Sequence, residues 1–126
     1  KWLLQLLKDI RRRKKVALVA EVNGRIVGLA NVDIKKEEAM SHVGGFGISL
    51  IKEARGRGIG EKLLRSVIAE AQKVLKVKIV ILSAFAGNRP AVNLYRKCGF
   101  VKTETMRGGI RHYGKFLDRI RMIKYL

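Results

Sequence analysis

The sequence predicts a mixed α/β fold, a central sheet flanked by helices, with residues 1–126 forming one domain. Three observations predict it. Two β-rich runs, 16–22 and 25–32, are separated by Asn23-Gly24, the strongest short-range hairpin signal because both turn residues tolerate positive φ. Residues 59–75 carry an apolar stripe of 3.6 period, through Ile59, Leu63, Leu64, Val67, Ile68, Ala71, Val74 and Leu75. Residues 77–85 are a β-branched run with few polar breaks, as in a strand buried on both faces.

The remaining elements follow in order. Trp2, Leu3, Leu6, Leu7 and Ile10 stand at helical spacing, so residues 2–12 read as an amphipathic helix. Residues 35–41 are polar and read as a loop. A third strand covers 43–51, loosened by Gly44, Gly45 and Gly47, and interior strand glycines mark bulges or a close ligand approach. After the buried run, Asn88-Arg89-Pro90 opens a second helix, with Asn88 as cap and proline in the first turn. Gly99 stops it. Two strands, around 100–106 and 117–126, close the chain.

Composition narrows the function classes. Hydrophobic residues make up 48%, which argues for a packed core. No apolar run approaches the ~20 residues that span a bilayer, and the first residues lack the pattern of a secretory signal. The single cysteine, Cys98, reads as a packing residue and suits a reducing, cytoplasmic setting. With 28 Lys and Arg against 10 Asp and Glu, the formal charge of +18 draws anions: nucleic acid, ribosomes, anionic membranes or phosphorylated cofactors. Arg11-Arg12-Arg13-Lys14-Lys15 is the densest patch, and reads either as a solvated helix end or as a nucleic-acid site.

The chemistry concentrates in Arg55-Gly56-Arg57-Gly58-Ile59-Gly60, after a strand and at the start of a helix. A helix N-terminus offers unpaired N–H donors and a positive dipole end, glycines let a pyrophosphate approach, and the arginines add charge-assisted donors. The closing Gly-Lys-Ser/Thr of a Walker loop is absent. The even spacing of Gly56, Gly58 and Gly60 does not match Gly-x-Gly-x-x-Gly, and no acidic ribose partner follows at the required distance.

Arg55, Gly58 and Gly60 fit Arg/Gln-x-x-Gly-x-Gly/Ala, and Asn88, Ala91, Leu94, Tyr95, Gly99 and Phe100 fit a second spaced motif. On these residues the chain resembles the GNAT superfamily of acetyl-CoA-dependent N-acetyltransferases, over roughly residues 16–126. The resemblance implies a mixed, mostly antiparallel sheet flanked by helices, lacking the first strand and helix, with residues 2–12 as the second helix. It implies acetyl-CoA as co-substrate and no metal. Ile48, Ser49 and Leu50 would pair with the pantetheine arm, and the N–H groups of Arg55, Gly56, Arg57, Gly58, Ile59 and Gly60 would hold the pyrophosphate. Asn88 would contact the cofactor where two strands diverge, and Tyr95 would protonate the departing thiolate during direct attack by an amine. Asn88 and Tyr95 stand seven apart, on one helix face.

The general base is unassigned. Residues 44–47, where relatives can carry a carboxylate, contain none, and His42, Glu21 and Asp118 are weaker candidates. The stretch 113–122 looks like members that acetylate polyamines, antibiotics and ribosomal-protein N-termini. Partners compatible with the sequence are an amine acceptor on a protein or small molecule, nucleic acid or a ribosome, and a second copy of the chain. Two rivals stand beside the enzyme: a basic RNA- or ribosome-binding module, and a non-catalytic acyl-CoA-binding protein.

Overall fold

The computed structural model describes the backbone of residues 2–8, together with residues 14–34 and 38–126. Seven strands form one sheet: β1 (Trp2–Lys8), β2 (Lys15–Val22), β3 (Arg25–Ile34), β4 (Val43–Leu50), β5 (Ile79–Phe85), β6 (Val101–His112) and β7 (Lys115–Tyr125). Their order is β1-β2-β3-β4-β5-β7-β6. Among the described residues only β4 and β5 run parallel, and the other paired strands are antiparallel. Two helices complete the fold, α1 (Ile59–Val74) between β4 and β5, and α2 (Arg89–Lys97) after β5. The predicted sheet flanked by helices is therefore present.

The hairpin expected at Asn23-Gly24 forms, with φ of 50° and 80° at its turn residues. The helix expected over 2–12 does not: residues 2–8 are the strand β1, paired antiparallel with β2 from Trp2↔Val22 to Lys8↔Val16. Five apolar residues within seven satisfy both periods at this length, and β2 offers an edge whose N–H and C=O groups a strand can pair. Residues 9–12, and Arg11 to Arg13 of the basic patch, lie outside the described residues. The closing pair is longer than expected and turns at Tyr113-Gly114. Residues 38–40 form a 3₁₀ turn. Among the described residues no helix is long and apolar enough to cross a membrane.

One core lies between α1, α2 and one face of the sheet. Leu63, Leu64 and Val67 of α1 are fully buried against Val16, Leu18 and Ala20 of β2 and Ala30 and Val32 of β3. Each such side chain contributes roughly 1.5–3 kcal/mol. On β4 the same inward parity is held by Gly44, Phe46, Ile48 and Leu50. A Cβ at Gly44 would meet Val32 at 2.5 Å, whereas one at Gly45 meets nothing nearer than the Asp33 carbonyl at 3.9 Å. Gly44 therefore faces the core, and Gly45 faces away from the helices. Gly44→Ala is expected to cost about 1–3 kcal/mol in denaturant unfolding, while Gly45→Ala changes stability by less than about 1 kcal/mol. Equal losses at both positions would contradict the assignment of the two faces.

Candidate active site

The cleft is created by a parting of strands. β4 pairs with β5 only at Val43↔Ile79, Gly44↔Val80 and Gly45↔Ile81. Beyond that point β4 continues along β3 to Leu50, and β5 along β7 to Phe85. Residues 46–50 thus present a strand edge to a gap rather than to a neighbour. Phe46, the first residue past the ladder, meets Tyr95 of α2 edge-on at 6.1 Å and Phe100 at 6.2 Å, and Tyr95 and Phe100 stand 6.1 Å apart. Three rings therefore fill the position where the strands separate.

The gap opens into a cleft of about 490 Å³. Ile48 and Leu50 form its β4 wall, and Arg55, Gly56, Gly58 and Gly60 its glycine-loop wall. Asn88, Pro90, Ala91, Leu94, Tyr95 and Lys97 line it from α2, and Glu61 from α1. Gly56 and Gly58 have φ of 76° and 78°, which L side chains rarely adopt. Gly58 is the N-cap of α1, and no side chain caps this end. The first N–H groups of this 16-residue helix therefore lack a side-chain cap beside the cleft, and Glu61 is the acidic residue of that turn. The Arg55 guanidinium reaches the Leu50 carbonyl at 3.5 Å and holds a cation beside them.

Asn88 takes the role expected of a cap, its Oδ1 accepting from the Ala91 N–H at 3.4 Å. This bond turns α2 so that Asn88 and Tyr95 share the cleft face. Tyr95 is 8% exposed, and among the described residues no group hydrogen-bonds its hydroxyl. Burial raises its pKa above the ordinary 10.0, so it remains a phenol at neutral pH.

Not every predicted residue enters the cleft. Ser49 lies on the opposite sheet face by strand alternation, and Ile59 turns its side chain into the core, leaving only its backbone. Arg57 lines a second cavity of about 340 Å³ with Arg25 and Glu53. His42 sits at the closed end of the gap, where its carbonyl accepts from the Lys78 and Ile79 N–H groups and fastens β4 to β5. Asp118 accepts from Gly108 N–H at 3.1 Å and secures an irregularity in β6. Neither His42, Glu21 nor Asp118 lines the cleft. Cys98 is buried, as its packing role requires, and burial pushes its thiol pKa up. Among the described residues no cluster of three His, Cys, Asp or Glu side chains could hold a metal.

Sequence reasoning missed the charge at the cleft mouth. Glu61, in the first turn of α1, binds Lys97 Nζ at 2.9 Å and Arg65 Nε at 3.1 Å. Hydrogen bonds from Lys97 and then Arg65 hold its carboxyl below the usual range. The Glu61-Arg65 spacing of four was visible in the sequence; the pairing with Lys97 across two helices was not.

A family model, "Acetyltransferase (GNAT) family", matches residues 1–100. The chain belongs to the GNAT family. An L-amino acid N-acetyltransferase of Escherichia coli is 31% identical over 107 residues, covering 85% of this chain and 66% of the relative. The chain thus spans just under two thirds of that relative's length. A GNAT-family acetyltransferase from Streptococcus pneumoniae superposes with a TM-score of 0.87 at 30% identity, over 93% of this chain and 70% of its own. A GNAT superfamily phosphinothricin acetyltransferase from Sinorhizobium meliloti, in complex with acetyl-CoA, shares the fold with a TM-score of 0.80 at 24% identity. It covers 89% of this chain and 61% of the neighbour's.

The buried phenol yields a direct test. In a spectrophotometric pH titration, the wild type is expected to show a tyrosinate phase above pH 10 that Tyr95→Phe lacks. Because the folded pKa is raised, the stabilisation associated with this group is complete below the unfolded pKa and is lost as pH rises through the folded one. Unchanged titration in Tyr95→Phe would place the late phase elsewhere.

Proposed function

We propose that this chain is the catalytic domain of an N-acetyltransferase that moves an acetyl group from acetyl-CoA to a primary amine on a protein or small molecule. The observation that carries the reading is the conjunction of an uncapped, glycine-entered helix N-terminus with a splayed strand edge and an unpartnered buried phenol, all in one cleft. Helix N–H groups and Arg55 suit a pyrophosphate. An extended arm fits the unpaired edge of residues 46–50, which would otherwise leave backbone groups unsatisfied. The residues present therefore fit the cofactor.

When bound, acetyl-CoA supplies an activated thioester carbonyl. The N–H groups of residues 56–60 and the Arg55 guanidinium hold the phosphates at the mouth. Backbone groups of Ile48 and Leu50 align the arm along β4, and Asn88 fixes the first turn of α2 against it. As the amine nitrogen bonds the carbonyl carbon and the C–S bond breaks, Tyr95 would give its proton to the departing thiolate, and the proton lost by the amine would restore the phenol. Glu61 places a negative charge beside this anion site, and Lys97 and Arg65 offset it. The acceptor is a primary amine, and the relative named for L-amino acids supports a small amino acid as one such class.

The first experiment is a thermal melt with acetyl-CoA and, as a polyphosphate control, ATP. A ligand at a hundred times its Kd stabilises by roughly 2.7 kcal/mol, a shift of several degrees. A shift with acetyl-CoA and little with ATP is expected; equal shifts would reduce the effect to the +18 surface. In turnover assays, Tyr95→Phe is expected to lower kcat roughly 100-fold or more while the acetyl-CoA melt shift persists. Unchanged kcat would remove Tyr95 from the role of acid.

A further inference from the structure

The strand pair β6-β7 outruns the sheet. β5 ends at Phe85, paired with Arg119, and a last bond from the Ala86 N–H to the Asp118 carbonyl closes that ladder. Residues 107–117 continue past this point as a two-stranded ribbon, paired from Ile110↔Leu117 to His112↔Lys115 and turning at Tyr113-Gly114.

The ribbon carries cations and rings together. From 107 to 117 it holds Arg107, Arg111, His112 and Lys115 and no acidic residue. The carboxylates that flank it in sequence are engaged: Asp118 accepts from the Gly108 N–H at 3.1 Å, and Glu104 pairs with Arg119 at 3.6 Å. The exposed side chains of Arg107, Arg111 and Lys115 have no hydrogen-bond or ion-pair partner among the described residues. Tyr113 is 92% exposed and Phe116 69%, and the His112 ring meets Tyr113 with centroids 4.3 Å apart. By register, Arg111 stands across from Phe116 on one face of the ribbon, and His112 across from Lys115 on the other. Each face thus sets a ring beside a cation.

Tyr113 also breaks a local rule. Its φ of 49° lies in the left-handed region, where a bulky residue is strained, and it precedes Gly114 as Asn23 precedes Gly24 in the first hairpin. Asparagine makes such a turn at less cost. A ring held there in open solvent adds nothing to the core, so its use lies outside the fold.

We propose that this ribbon is a docking arm for single-stranded nucleic acid. Phosphates meet Arg107, Arg111 and Lys115, and unpaired bases stack on Tyr113, His112 and Phe116. Three other partners fit less well. A second copy of the chain would bring the same unneutralised cations together, at a formal charge of +18 on each. A lipid surface takes one apolar face, whereas rings and cations share both faces here. A duplex keeps its bases stacked on one another, out of reach of the rings. This binding goes beyond acetyl transfer and does not depend on it.

The test is fluorescence polarisation with a labelled single strand of about 12 nucleotides, as RNA and as DNA, against the duplex of the same sequence. The wild type is expected to bind at least one single strand more tightly than the duplex. Tyr113→Asn with Phe116→Thr removes no charge and gives the turn its preferred residue; it is expected to weaken binding about 10-fold or more. Arg111→Gln with Lys115→Gln is expected to weaken it too, and to lower the slope of log K against log salt by about 1–2. Lys73→Gln with Lys78→Gln, which removes the same charge beside the start of β5, is expected to stay within about twofold of the wild type. Equal losses in the two charge variants would reduce the binding to the +18 surface and overturn the proposal. It is also overturned if the ring variant binds within about twofold of the wild type, or if the duplex binds as tightly as either strand. Loss of binding to phosphatidylserine vesicles in the ring variant, with nucleic-acid binding intact, would overturn it in favour of a lipid surface.

Discussion

β4 and β5 are held together over three residue pairs and then kept apart, and the rest of the site depends on that parting. Two forces set it. At the closed end, backbone N–H groups of Lys78 and Ile79 bond the His42 carbonyl and continue the ladder. At the open end, Phe46, Tyr95 and Phe100 pack together on the helix side where the ladder stops, each ring within 6.2 Å of the others. Edge-to-face aromatic contacts compensate the lost strand hydrogen bonds in part. The remaining edge groups of β4 stay available to a ligand, which is the functional outcome of the arrangement.

The same parting explains why the cleft lies at the carboxyl ends of the one parallel pair among the described residues. The β4-α1-β5 crossover carries the chain from the end of β4, through residues 51–58, into the N-terminus of α1. The loop between them must reverse sharply, and Gly56 and Gly58 permit it. Their lack of side chains also leaves the first helical N–H groups open. One turn of backbone thus makes the tight connection and leaves the helix end without a side-chain cap.

Charge is partitioned between the two sheet faces. On the helix side, Arg55, Lys97 and Arg65 surround a single carboxylate, Glu61, so the cleft mouth is net cationic. On the outer side, Asp33 stands without an ion-pair partner among the described residues. Lys15 stands across from Asp33 on β2, so the outer face there carries residues of opposite charge side by side.

Much of this was readable from residue order. Local signals are short-range: the Asn23-Gly24 turn, the 3.6-residue stripe of α1, the Asn88 cap and the glycine loop each depend on neighbours within a turn or two of chain. They carry the type and order of nearly all elements, and the motif resemblance adds the cleft residues Arg55, Gly58, Gly60, Asn88 and Tyr95. Trp2–Lys8 was misread as helix because seven apolar-rich residues carry no decisive period, and only the open edge of β2 chose the strand. His42 was close to the site in sequence and remote from the cleft in space, since a strand carries its ends apart. Lys97 beside Glu61, and Asp33 across from Gly45, could not be read at all: each pairing joins elements far apart in sequence. The sequence by itself determined most of the local structures and that a glycine loop opens α1. Tertiary structure alone decided which charges meet and which face they serve, because register and helix packing are set by burial of the whole core rather than by any one segment.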